Sequence, residues 1–382
     1  MAGIASQKRM LPLKIKDVIS LISTCFAAII FWANPSFAAV TGNCAICHTM
    51  HNSQNSSAIL RTGTVAGSKT AWDGSGALAG GTVQTTPKAK LLVTDCVGCH
   101  SSSTGSTIIE VGGNRIPIVF NTSGYPDHPL AGGNFYSVSQ GNDGHGHNVY
   151  GISAADSALT MAPGNIQCFN GTCHYTLATP PSGTNFNKGG CQGCHYVVSH
   201  HNDVDSGYRF LKGHNPGNNW VLGVEDPDWE YDPEAGHNGY KGAIVSAPGD
   251  DQSLSEIQTI SSFCGGCHND FHKQGASKTG DGNPWIRHPT DIALPGGTTE
   301  YAGYDPTTSG HYNPLAPVAW TDPSDQSDRD TAVVMCLSCH RPHGTEYNDI
   351  LRWDYTADCF ASGSSGTPAN CGCFVCHTTK DD

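Results

Sequence analysis

Six pentapeptides of the form Cys-x-x-Cys-His punctuate this chain, at Cys44/Cys47/His48, Cys96/Cys99/His100, Cys191/Cys194/His195, Cys264/Cys267/His268, Cys336/Cys339/His340 and Cys373/Cys376/His377. A seventh site, Cys168/Cys173/His174, keeps the Cys-His ending but sets the cysteines five residues apart. Two thiols followed directly by an imidazole suit covalent haem attachment, in which the sulfurs form thioethers to the porphyrin and the His binds iron axially. One such motif would also suit a redox pair or half of a zinc site. Six in one chain point to haem. In the long site, Asn170-Gly171 supplies a turn that lets both sulfurs reach one porphyrin. The competing reading there is a Cys168–Cys173 disulfide. We expect haem, and therefore seven haems.

Each iron has a second axial position. Beyond the leader, the chain has only Met50, Met161 and Met335, so Met/His ligation cannot serve seven sites. Of 19 His, twelve lie outside the motifs. Bis-His iron has both axial positions filled, which suits electron transfer better than small-molecule binding. His51, His272 and His343 stand three or four residues beyond a motif His. That tether is too short to reach the far face of the same haem, so each is predicted to serve a neighbour. His147, His201, His214, His237 and His288 complete the favoured set. His128, His145, His200 and His311 rank below it.

The elements that hold these residues must be short. A Cys, a second Cys three positions on and a His at the fourth lie on one side of a helical turn, so helical turns are predicted around several motifs. Leu, Ile, Val and Phe make up 69 of 382 residues, about 18%. A highly charged chain with so few cannot ordinarily bury a core. Seven porphyrins change that balance, with the haem stack serving as the core. The predicted fold is mostly irregular coil with short helices and few strands, and the apoprotein does not fold. The 46 Gly and 22 Pro suit turns passing close over porphyrin faces. Gly74–Thr86, Ser101–Thr107 and Asp305–Asp328 read as surface loops. The first cysteines fall at unequal intervals of 52, 72, 23, 73, 72 and 37 residues, so the chain is no solenoid. Beyond the leader two further cysteines, Cys359 and Cys371, can pair with each other. Alternatively Cys371 opens a long-form site and Cys373 pairs with Cys359. The short form with a Cys359–Cys371 bridge is favoured.

Residues 1–38 read as a secretory signal: Lys8, Arg9, Lys14 and Lys16, an apolar run from Val18 to Trp32, then Ser36-Phe37-Ala38. The run is shorter than the roughly 20 residues of a membrane span. Residues 39–382 are then one exported heptahaem domain. Removing the leader lowers the formal charge from −13 to −16, leaving 16 bases for 32 acids. Such a surface disfavours nucleic acid and anionic membrane as partners.

The chain resembles the filament-forming hexahaem cytochromes of the outer surface of metal-reducing bacteria, the OmcS type. The likeness is carried by Cys44–Ser53, Gly146-His147-Asn148, Phe263–His272, Arg287-His288-Pro289, Cys336–His343 and the last motif. The stretch from Cys168 to His195 departs from it and makes seven sites of six. The resemblance implies all-bis-His haems in one continuous stack, with subunits joined head to tail. It also implies that His51 crosses to the haem on Cys336/Cys339/His340 of the next subunit. Upstream periplasmic or outer-membrane cytochromes would donate electrons, and metal oxides or similar extracellular acceptors would take them.

Three functions follow from the residues. The first is a polymeric extracellular electron conduit; the second is a monomeric periplasmic or extracellular electron carrier. The third, an oxyanion reductase, is weakened by the lack of any Cys-x-x-Cys-Lys motif and by the scarcity of bases. Intact-mass measurement of the mature protein should show seven covalent haems. Six would mean that Cys168 and Cys173 form a disulfide instead.

Overall fold

The computed structural model describes residues 40, 44, 47–48, 96–159, 162, 177–179, 189–201, 207–213, 219–230, 236–245, 257–268, 288–296, 300–307, 312–360 and 370–379, together with the backbone of short strands between 53 and 83. The expectations for the leader, the long site (Cys168, Cys173, His174), His51, His214 and His272 lie outside these residues. The candidate sites all fall in one compact unit, Val40–Asp382. Among the described residues, no helix is long and apolar enough to cross a membrane.

Coil dominates, as the composition requires. The longest described α-helix, Ile260–Gly265, has six residues, and the longest strand, Gly207–Lys212, also has six. Strands pair in small separate sheets. Ile108–Val111 and Asn114–Pro117 form a hairpin closed by Gly112 and Gly113, both at positive φ (56° and 83°). That is the backbone twist a tight hairpin demands and only glycine adopts freely. Gly207–Lys212, Trp220–Val224 and Gly239–Tyr240 make a second antiparallel sheet.

A third sheet orders Ile292–Ala293, Ala332–Val334 and Ala319–Trp320, with Ala332–Val334 in the middle. Side chains alternate across a strand, and here both faces are apolar. Ala332 and Val334 pack with Leu294, Val318, Trp320 and Val375, while Val333 packs with Val221, Tyr240, Met335 and Leu337. This strand joins two clusters and runs through the buried Met335 into Cys336. A further cluster of Val97, Phe120, Phe135, Val138, Val149 and Ile152 lies against the Cys96/Cys99 and Cys191 sites. The described core is thus several small patches, each next to an attachment motif.

Two of the predicted loops are partly buried sheet. Ser101–Ser102 is fully buried between Phe120–Asn121 and Thr70–Trp72. The small hydroxyl side chains fit where the chain leaves His100, and pairing on both edges satisfies the backbone. Ala319–Trp320 is likewise buried sheet, whereas Asp322 to Gln326 turns at the surface through Asx-type bonds such as Ser324 N–H to Asp322 Oδ1 (2.9 Å). Within Gly74–Thr86, Leu78–Gly80 and Thr82–Val83 are strands.

Cys359 and Cys371 form a disulfide with Cα atoms 5.2 Å apart, next to Trp353. That leaves Cys373 as a thiol, and the last motif takes the short spacing. Replacing both half-cystines by Ser removes a cross-link over 12 residues. It should lower unfolding stability by about 2–3 kcal/mol, read as an earlier guanidinium midpoint with the haem count unchanged.

Candidate haem centres

All six short motifs close the same local turn. The His N–H donates to the carbonyl of the first Cys, at 2.7 Å for His48, 3.0 Å for His100, 2.8 Å for His195, 2.9 Å for His268, 3.1 Å for His340 and 2.9 Å for His377. Both sulfurs and the imidazole thereby fall on one side of the turn, at the i, i+3 and i+4 positions. The short helical turns expected around several motifs are present, in their briefest form at Cys99, Cys194 and Cys339. There the helix covers only Cys96–Gly98, Gly190–Gly193 and Cys336–Ser338, and the second Cys stands just past its end. At the second site Cys99 N–H still donates to Cys96 O (3.1 Å), which closes the turn. The chain has no room for a longer helix, because His100 leads directly into the buried strand Ser101–Ser102.

Different devices start these turns. Thr259 caps the Cys264 helix through a reciprocal bond with Ser262 (3.0 and 3.1 Å). Cys336 instead follows closely on the buried strand Ala332–Val334. All twelve sulfurs of the short motifs, Cys96 and Cys99 included, are thiols outside any disulfide. Burial pushes the Cys194 and Cys339 thiols up to about 12 and Cys376 up to about 11, so they remain protonated near neutrality.

Five motif imidazoles face a second imidazole from far along the chain. Ring centroids are 6.1 Å apart for His48/His201, His100/His200, His268/His147 and His195/His343, and 6.3 Å for His377/His288. Two rings bound to one metal through nitrogen at about 2.0 Å each place their centroids roughly 6 Å apart. The gap is too wide for direct stacking and suits a single shared metal ion. Together with the two thiols of the same motif, the residues fit a haem at each of the five positions. The ring planes differ: 19° for His48/His201 and His100/His200, 48° for His195/His343, 59° for His147/His268 and 83° for His288/His377.

Backbone carbonyls hold several of these rings. Nδ1 of His100 bonds Pro117 O (2.8 Å), His147 bonds Pro342 O (2.7 Å), His288 bonds Pro289 O (3.0 Å) and His340 bonds Asp349 O (2.9 Å). Donation from Nδ1 leaves the Nε2 lone pair for a metal. Burial lowers the pKa of His100, His288 and His340, and brings His195 down to about 4 and His343 down to about 3. These rings are neutral at physiological pH, the state a ligand requires. His377 differs, since its Nδ1 bonds the Glu300 carboxylate at 2.7 Å.

One clamp aims ligands at several sites. His343 N–H donates to Gly132 O (2.7 Å), Asn134 N–H to Gly344 O (3.0 Å) and Thr345 N–H to His145 O (2.8 Å). A Cβ on Gly133, at φ +84°, would strike the Gly344 carbonyl. The two segments approach this closely because Gly133 lacks a side chain. His147, His340 and His343, which belong to three different sites, all emerge here.

Among the described residues, neighbouring sites follow the order of the chain. His200 and His201 are consecutive and face His100 and His48. His100 lies close enough to His195 to influence its charge, and Cys194 does the same with Cys267. The Cys264 and Cys336 side chains hydrogen-bond, and Cys339 feels Cys373 and Cys376.

The favoured His147, His201, His288 and His343 all face motif rings. His200, ranked below these, also faces a motif ring, that of His100. His237 instead stacks on Tyr312 with centroids 3.6 Å apart, and faces no motif ring among the described residues. Nor does His340 face a second imidazole among them.

No family model matches the chain, and no curated protein matches it. Among solved structures, the Outer Membrane Cytochrome S filament from Geobacter sulfurreducens matches 83% of this chain and 84% of its own at 19% identity, with a TM-score of 0.40. A cryo-EM structure of OmcS nanowires from the same organism matches 82% and 84% at 17% identity, with a TM-score of 0.38. At that level of likeness the site chemistry stands on the chain's own residues.

Two outcomes test the site. His200→Ala should leave every haem attached, including the one on Cys96 and Cys99, and convert one haem equivalent to a high-spin ferric signal in electron paramagnetic resonance. Glu300→Gln should shift one reduction potential upward in spectroelectrochemical titration, because a neutral acceptor stabilises the ferric state less than a carboxylate does.

Proposed function

We propose that this protein is an exported multihaem c-type cytochrome that passes electrons along a row of bis-His haems outside the cell, as a head-to-tail filament. The five facing imidazole pairs carry the reading. Haem supplies one-electron redox chemistry when bound; the protein's part is to attach it, saturate its iron and set its surroundings. Two His at each of the five paired sites would leave no exchangeable position there, which favours electron transfer over oxyanion reduction. Sites that neighbour one another in chain order suit transfer in a continuous row. The acidic surface and the leader-like residues 1–38 support export, to the outer surface in preference to the periplasm.

The filament reading rests on His340 and His51. His340 lacks a second imidazole among the described residues, and His51 is tethered too briefly to serve the haem of His48. By the resemblance stated above, His51 of an adjacent copy would fill the His340 position. A repeated head-to-tail contact of this kind builds an open polymer when its rotation does not close. Upstream cytochromes would load such a filament, and metal oxides would discharge it.

Electron microscopy and magnetic resonance on the secreted material test this together. Filaments with only low-spin ferric signals are expected. The near-parallel pairs at His48/His201 and His100/His200 should give a different signal class from the crossed pair at His288/His377. His51→Ala should keep all haems, shorten or abolish filaments and open one iron. Particles that remain monomeric in the wild type would favour the diffusible carrier. Stoichiometric cyanide binding by the native assembly would favour the reductase.

A further inference from the structure

Beside the Cys336 motif is a 320 Å³ cavity lined by Tyr125, Pro129, Arg341, Thr345, Tyr347 and Arg352, with the exposed Asp127 and Glu346 also on its wall. Two guanidinium groups share it. Arg352 is only 6% exposed, and its side chain reaches carbonyls alone: Pro314 O (2.8 and 3.1 Å), Leu337 O (3.1 Å) and Ala131 O (3.3 Å). The Arg341 side chain bonds Tyr125, yet its buried Nε has no partner. Among the described residues neither arginine makes an ion pair with a carboxylate, whereas the more exposed Arg115 pairs with both Glu110 and Asp228. The charge of Glu230 acts on Arg341 without an ion pair to it. The Arg352 donors are largely spent on carbonyls. The unpartnered Nε of Arg341 is therefore the donor left for an oxyanion on the cavity wall, with the Arg352 charge beside it.

We propose that this cavity is an anion site, where Arg341 holds a carboxylate or similar oxyanion and the neighbouring Arg352 adds positive charge. Tyr125 does not compete for the anion with its proton, because its hydroxyl donates to Gly344 O (2.9 Å). Both arginines are tied to the attachment turn: Arg352 N–H donates to Cys339 O (2.9 Å) and Arg341 N–H to Ile350 O (3.0 Å). Two sources carry the required chemistry, a propionate of a haem bound by this chain and a free inorganic oxyanion. The first rests on the haem reading above. In either case the anion would offset the positive charge next to the His340 site and fix the turn that presents it.

The holoprotein, dialysed free of oxyanions and carrying haem labelled with carbon-13 at the propionate carboxyls, separates the sources. If a propionate occupies the cavity, Arg341→Gln moves a labelled carboxylate band in the redox-difference infrared spectrum, and Arg341→Lys moves it less. If a free anion occupies it, the labelled bands stay in place. Inorganic phosphate then binds the wild type saturably at one per chain, and at least tenfold more weakly in Arg341→Gln. Unmoved labelled bands with no saturable phosphate binding overturn the proposal. So does a band shift or phosphate effect that Asp127→Asn/Glu346→Gln reproduces with Arg341 intact. Should Arg341→Gln fail to accumulate, the same comparison is made between wild type and Arg341→Lys, with the same deciding outcomes. Haem count by mass is taken on every variant. A protein without haem would fail the function reading, while a full haem count with no anion signal fails this proposal alone.

Discussion

Pairs of imidazoles facing each other at a spacing that suits one shared metal ion tie the described structure together. Each such pair joins segments between 89 and 153 residues apart. Closing a loop of that length costs little more than closing a shorter one, about 0.6 kcal/mol per doubling. On the proposed haem reading, metal–ligand bonds at these pairs would organise a chain whose described residues form no long helix, no large sheet and only scattered apolar clusters. The protein uses its few buried aliphatic side chains next to the attachment turns, where they fix the orientation of a turn rather than build a separate core.

Backbone geometry does the rest of the positioning. The approach of Gly132–Asn134 to His343–Thr345 places main chain against main chain, which a side chain at Gly133 would prevent. His343 is thereby held beside Phe135, with centroids 4.9 Å apart, and across from His195. Carbonyls of Pro117, Pro289 and Pro342 orient three other rings. Proline is well suited to this, because its fixed φ limits the directions its carbonyl can take. Much of the second layer of each site is thus main chain, which few side-chain substitutions can alter.

What the sequence made legible is what is local. The attachment turns follow from three side chains within five residues, and each short one takes the same hydrogen bond. Their length was less legible: the helix before Cys99 stops at Gly98 because a buried strand begins three residues later. The coil-rich fold followed from an apolar content too low for a conventional core. Which rings face each other was legible where a short tether ruled out the adjoining site, as for His343, which faces His195. It was not legible where tertiary path alone decides. His200 was set behind His201 as a spare, yet adjacent side chains in a turn point different ways, so a His-His doublet can serve two sites. His237 has the sequence context of a ligand, and the structure lays it flat on Tyr312. Ser101–Ser102 has the composition of a loop and is buried because both of its edges are paired.

The closeness of unlike sulfurs carries a consequence for biogenesis. The Cys373 thiol lies within 4.8 Å of both sulfurs of the Cys359–Cys371 bridge, and the Cys264 and Cys336 thiols touch. If the chain is exported and loaded with haem as proposed, an oxidising compartment that meets it before loading could close the wrong pairs, or exchange Cys373 into the bridge. Once a thioether forms, that sulfur can no longer take part in exchange. On that reading haem loading would run against a clock set by the oxidant, and each attached haem would remove two thiols from the possible errors. The compactness that lets neighbouring centres communicate in the finished protein is also what makes the timing of their loading matter.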